Sequence, residues 1–158
     1  MIKFRDLKRN EMPGLISLMM EIIPKKEYYP RKNLRIFLRE YSRKHLLELY
    51  GRTDSIFIVA EENQKLVGFL FGWNEYGVFW VDWLGVEDHK RREHIATHMI
   101  ILMEKKARKM KCHKIFLDTS CTNFPAVKLY KRLGYFIECK VRNHWLKWDY
   151  YLISKFLD

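Results

Sequence analysis

Two hydrophobic periods alternate along the chain. Ile2-Lys3-Phe4-Arg5 alternates apolar and polar positions, as a short strand does. Met12, Leu15, Ile16, Met19 and Ile23 then recur at helical spacing, with Asn10 as the expected cap and Pro13 in the first turn, where a missing N–H costs little. After Pro24 and Pro30, the spacing of Leu34, Phe37, Leu38, Tyr41 and His45 predicts a second helix. From Ser55 the pattern turns to strands: Ser55–Ala60, Leu66–Phe71 and Val78–Val86, separated by polar turns at 61–64 and 74–77. Ile95, Met99, Leu102, Met103, Ala107 and Met110 predict a long helix, and Lys114–Asp118 another strand. Ala126, Leu129, Tyr130 and Leu133 mark a short helix between an Asn123 cap and a Gly134 stop. Residues 135–142 and 145–153 complete the chain as aromatic-rich strands. Strands interleaved with helices in this order predict an α/β or α+β sheet with helices on its faces.

Composition narrows the class. With 48% apolar and 15% aromatic residues the chain can fill a core, which excludes intrinsic disorder. No repeat or linker marks a boundary, so 158 residues are expected to form one domain. No apolar run approaches the roughly 20 residues of a membrane span, and the charged start lacks a signal-peptide pattern, which points to a soluble cytoplasmic protein. Three cysteines, at 112, 121 and 139, have neither an even count nor CxxC spacing, so neither a disulfide framework nor a zinc site is expected.

Thirty lysines and arginines against 19 acidic residues give a net charge of +11. Residues 25–44 hold eight basic and two acidic side chains, and residues 88–114 hold nine and three. Two focused patches imply anionic ligands more than a uniformly adhesive surface. In the second patch a buried strand ends at Val86, the basic loop Lys90-Arg91-Arg92 follows, and a helix begins near His94. Free backbone N–H groups at a helix start bind phosphate, although a basic loop can equally be only solvated. His94 and His98 share a helix face, but no further ligand has matching spacing, so no metal is expected. Trp145, Trp148, Tyr150 and Tyr151 could stack on bases, yet alternating positions packed on a sheet or on a homodimer interface explain them more simply. A basic nucleic-acid-binding module is therefore the weaker reading, since no recognised nucleic-acid motif accompanies the charge.

Two segments carry a family resemblance. Arg91, His94 and Ala96 occupy the places of an Arg/Gln-x-x-Gly-x-Gly/Ala loop, with His94 where Gly is usual, and Asn123-Phe124-Pro125-Ala126-Val127-Lys128-Leu129-Tyr130-Lys131-Arg132-Leu133-Gly134-Tyr135 matches an Asn-x-x-Ala-x-x-Leu-Tyr-x-x-x-Gly-Phe/Tyr helix. Together with the element order and Gly68, they resemble the GNAT family of N-acetyltransferases. The resemblance implies a mixed, mostly antiparallel sheet of about six or seven strands with about four helices, and acetyl-CoA as cosubstrate. It places the pantetheine along Leu84 and Val86 and the pyrophosphate on Arg91, Arg92, His94, Ile95, Ala96 and Thr97. Asn123 and Lys131 lie beside the coenzyme, and Tyr130 would protonate the departing thiolate. No cysteine sits at a motif position, so the amine is expected to attack directly. Asp82, four residues before Val86, is the first candidate to bind or deprotonate the acceptor amine; a structural ion pair with a nearby Arg is the other reading. Glu75 and Glu87 are weaker candidates near strand ends. The basic 25–44 segment suggests an acceptor of acidic character. His94 in place of Gly leaves open an inactive coenzyme-binding regulator.

Overall fold

The computed structural model describes residues 1–26 and 41–157. Seven strands, β1 (Lys3–Asp6), β2 (Ser55–Glu62), β3 (Lys65–Glu75), β4 (Val78–Val86), β5 (Lys114–Ser120), β6 (Phe136–Val141) and β7 (Tyr150–Phe156), form one sheet in the order β1-β2-β3-β4-β5-β7-β6. All neighbours are antiparallel except β4 and β5. Among the described residues the helices are α1 (Met12–Ile22), α2 (Arg43–Tyr50), α3 (Ile95–Lys109) and α4 (Phe124–Arg132). This is the mostly antiparallel, helix-flanked sheet that the family resemblance implies.

The sheet separates two cores. Ile95, Met99, Ile100, Met103 and Ala107 of α3 pack with Ile56, Ile58 and Leu70 on one face. Met12, Leu15, Leu18 and Met19 of α1 pack with Phe57, Phe69 and Phe71 on the other. Both helices bury the stripes their periodicity marks, because a surface helix gains most of its stability from its apolar face. Among the described residues no helix is long and apolar enough to cross a membrane.

Three expectations differ at element ends. Asn10 lies in a single 3-10 turn, Arg9–Glu11, and α1 begins after it at Met12. The Glu11 carboxylate there accepts the Lys8 N–H and the Arg5 guanidinium, which fixes the entry into the helix. The second predicted helix has Leu34, Phe37 and Leu38 outside the described residues; beyond them α2 starts at Arg43, where the Ser42 hydroxyl accepts the His45 N–H. The last strand starts at Tyr150 rather than Trp145, because Leu146 and Lys147 adopt positive φ and break the alternation. Trp145 accordingly sits in a turn, not on a strand face.

The feature that matters most for the site lies in β4. Its parallel pairing with β5 covers only Val78, Phe79 and Trp80, whereas its pairing with β3 continues to Val86. Between Val81 and Trp83 the β3 register shifts at Gly72, leaving Asp82 as the extra residue of a β-bulge. Gly72 is required there, since a Cβ would overlap the Trp80 carbonyl. The bulge also overturns the simple alternation of Trp80, Asp82, Leu84 and Val86 on one face. Phe79 and Val81 belong to the α3-side core, Trp83 to the α1-side core, and Leu84 and Val86 pack against the α3 side. One extra residue exchanges the two faces.

Candidate functional site

Where β4 and β5 part, a cavity of about 620 Å³ opens. Its first wall is β4 from Trp83 to Val86, whose β5-facing backbone groups have no strand partner among the described residues. Leu84 and Val86 both line the cavity on this edge. An extended amide-bearing chain could pair with this edge as an added strand would.

The second wall is the loop and first turn of α3. His94 is its N-cap residue and gives no side-chain cap, so the first backbone N–H groups, from Ile95, Ala96 and Thr97, remain open for an anion. The Ile95 side chain itself is buried in the core, so only its backbone can serve a ligand. Arg91 is tied to Asp88 at 3.0 Å and Lys90 to Glu62 at 2.6 Å. Arg92 lines the cavity with no such tie among the described residues. Lys26, buried just after the 3-10 turn Ile23–Lys25 that follows α1, pairs with Asp88 and holds its carboxyl below the usual range, which ties this segment to the loop.

His94 has φ 58° and ψ 15°, the left-handed region in which glycine is favoured. This explains how the loop keeps its turn without glycine, at a cost of about 1–2 kcal/mol. His94→Gly should therefore melt higher than the parent and bind acetyl-CoA equally well or better, as read by thermal melts with and without the coenzyme. Loss of binding would make the imidazole a ligand contact. The His98 ring stacks on Phe4 at 5.1 Å and its Nδ1 lies 2.9 Å from the His94 carbonyl.

The third wall is α4. The buried Asn123 side chain accepts the Ala126 N–H and donates to the Thr119 hydroxyl at 3.1 Å. Pro125, Ala126, Leu129 and Arg132 follow along one helix face of the cavity. Lys131 lies off that face and is solvent-exposed, whereas Arg132 lines the cavity and makes no ion pair among the described residues. A helical step of about 100° per residue separates the two.

Tyr130 is 4% exposed and does not line the cavity. Its ring meets Tyr135 edge-on at 5.2 Å, and burial raises its phenol above the ordinary range, so it is protonated at neutral pH. Tyr135 in turn donates to Glu104, whose carboxylate is held by Lys155 at 2.9 Å. Sequence reasoning missed this support, because one acid among the basic residues of α3 reads as solvated.

Asp82 lies at the bulge beside Trp83. Its Oδ1 accepts the Tyr41 hydroxyl at 3.0 Å, while its Oδ2 is closed off from solvent without a hydrogen-bond partner among the described residues. Burial pushes its carboxyl up to about 6, against the lowering effect of Tyr41 and Trp80, and Asp118 adds to the rise. No arginine pairs with it among the described residues. Glu75 lies at the opposite end of the strands with Trp73 and Arg52. Glu87 is buried but ion-paired to Lys65 at 3.3 Å. Asp118, which sequence reasoning missed, acts on Asp82 from β5 through its charge; the signal in the sequence was an acid directly after the apolar run Ile115-Phe116-Leu117.

Residues 19–135 match the acetyltransferase (GNAT) family. N-alpha-acetyltransferase 30 of Dictyostelium discoideum is 28% identical over 127 residues, 80% of this chain, and the chain spans 63% of that relative's length. Among solved structures, the PaiA N-acetyltransferase of Thermoplasma acidophilum in complex with coenzyme A superposes with a TM-score of 0.86 at 18% identity, covering 99% of each chain. NAA60 of Arabidopsis thaliana in complex with a bisubstrate analogue gives 0.75 at 20% identity, over 99% of this chain and 98% of that one. With a matching family pattern over most of its length and the fold to go with it, the chain belongs to the GNAT acetyltransferase family.

Proposed function

We propose that the protein, acting as one domain across residues 1–158, is an acetyl-CoA-dependent N-acetyltransferase that acts on a primary amine. The observation that carries this reading is the continuity of the unpaired β4 edge with the uncapped start of α3. A pantetheine arm and a pyrophosphate need those two features end to end. Arg92 and Arg132 would add charge to the phosphates, and Asn123 would flank the pantetheine. Acetyl-CoA supplies the thioester.

Asp82 takes the proton of the acceptor ammonium, and the freed amine forms its N–C bond to the acetyl carbonyl carbon. The C–S bond breaks, and the thiolate takes the proton of Tyr130, which solvent later restores. A phenol near 10 and a thiol near 8.5 leave this transfer about 2 kcal/mol uphill in water. Burial raises the Tyr130 phenol, but the same low dielectric raises the thiol as well, so the gap need not widen. The name of the Dictyostelium relative points to an α-amino group as one acceptor. The expected acidic acceptor drew on residues 25–44, and 27–40 of these lie outside the described residues. The described part of the acceptor end carries carboxylates instead.

Calorimetry with acetyl-CoA should show affinity in the micromolar range, about −8 kcal/mol. No heat and no thermal shift at millimolar coenzyme would remove the enzyme reading altogether.

A further inference from the structure

Trp80 and Phe116 are the last residues that β4 and β5 pair, and their rings meet at 5.1 Å. The next residues on that face are Asp82 and Asp118, one on each side of the opening. Asp118 accepts the Trp145 indole N–H at 2.6 Å and lies 3.6 Å from His144 Nε2. Asp82 has the Tyr41 hydroxyl on one oxygen and, among the described residues, no hydrogen-bond partner on the other. Among the described residues neither carboxylate pairs with a lysine or arginine, although the chain carries 30 of them. Burial raises both carboxyls; the charge of Asp118 adds to the rise at Asp82, while Trp145 and His144 oppose the rise at Asp118.

A single amine needs only one of these groups. The acceptor must be neutral at its reacting nitrogen when it attacks, so Asp82 alone suffices for deprotonation. The second carboxylate has no part in that step. Trp145 turns its N–H edge to that carboxylate and its ring to His144, at 4.5 Å between centroids.

We propose that the acceptor is a dication, an amine with a second positive charge a few bonds from the reacting nitrogen, received at Asp82 and held through its second charge by Asp118. The proposal rests on the N-acetyltransferase reading for the identity of the reacting end. A small diamine and a peptide N-terminus followed by a basic side chain share this chemistry, and separate probes tell them apart.

The protein saturated with coenzyme A should be titrated calorimetrically with diaminobutane and with butylamine. Tripeptide amides differing only in lysine, norleucine or glutamate at the second position form the other arm. The dication should bind about tenfold or more tightly than its singly charged partner in at least one arm, and that arm identifies the source. Asp118→Asn should erase the difference and leave coenzyme A affinity unchanged, while Asp118→Glu should restore it. Equal affinities in both arms, or a preference for the glutamate peptide, would overturn the proposal, and so would an Asp118→Asn protein that keeps the preference. Binding with this preference but no thiol release from acetyl-CoA would overturn the transferase reading and leave the dication site standing. Turnover of both probe classes without preference would do the reverse.

Discussion

Asp82→Asn should lower turnover by about 10²–10⁴ while coenzyme affinity stays within a few-fold of the parent. The substitution keeps the shape at the bulge and removes only the negative charge, so the loss belongs to the acceptor step. In the parent, kcat/KM should climb as pH rises through about 6, where Asp82 loses its proton and becomes able to take one from the ammonium. The variant should lack that inflection. Stability moves the opposite way. The folded-state carboxyl titrates near 6, above the ordinary 3.8, so the favourable contribution of its protonated form is complete below 3.8 and is lost as pH rises through 6. At neutral pH the parent thus carries an unfavourable ionised group. Asp82→Asn should melt several degrees higher, consistent with a cost of up to roughly 3 kcal/mol. Loss of activity with gain of stability is the signature of a strained functional group, and a merely structural residue would show neither. Unchanged kinetics from about pH 5 to 9 would reduce Asp82 to packing and move the search to Asp118.

Tyr130→Phe separates two roles that share one position. The ring is packed in either case, edge-on to Tyr135 and inside the α3-side core, and phenylalanine retains those contacts. A structural hydroxyl is worth about 1 kcal/mol. A proton donor to the thiolate is worth about 10²–10⁴ in rate. Expected are a near-parent melting temperature, acetyl-CoA affinity within a few-fold, and turnover reduced by about tenfold or more. The deficit should be smaller with thioesters of more acidic thiols, whose thiolates leave without a proton. Normal turnover in a protein melting several degrees lower would return Tyr130 to the core and let water protonate the thiolate.

These outcomes would also measure how far a linear reading reaches. The stripes of α1 and α3, the Asn123 cap and the Gly134 stop were legible because they depend on spacing within one element. Gly134 takes φ 83° as a helix stop should, and Asn123 accepts the N–H three residues on. The Arg91–Ala96 loop was legible too, and the left-handed His94 shows that the turn persists where its usual glycine does not.

Other features could not be read this way, because they depend on which strands become neighbours. The local period of β4 predicts Asp82 and Leu84 on one face. The bulge comes from register against β3, through Gly72, and only pairing reveals it. Lys131 and Arg132 are equally basic in sequence, and the angle of α4 against the cavity chooses between them. Net charge pointed toward an acidic acceptor, yet Asp82 and Asp118 lie 36 positions apart and meet only because β4 and β5 are parallel neighbours that part after Trp80 and Phe116. The sequence by itself determined most of the elements, the buried stripes of α1 and α3 and the family loop, since these follow from propensity and period within a segment. The tertiary structure decided the opening, the bulge and the paired carboxylates, because burial and electrostatic coupling act between segments brought together by folding.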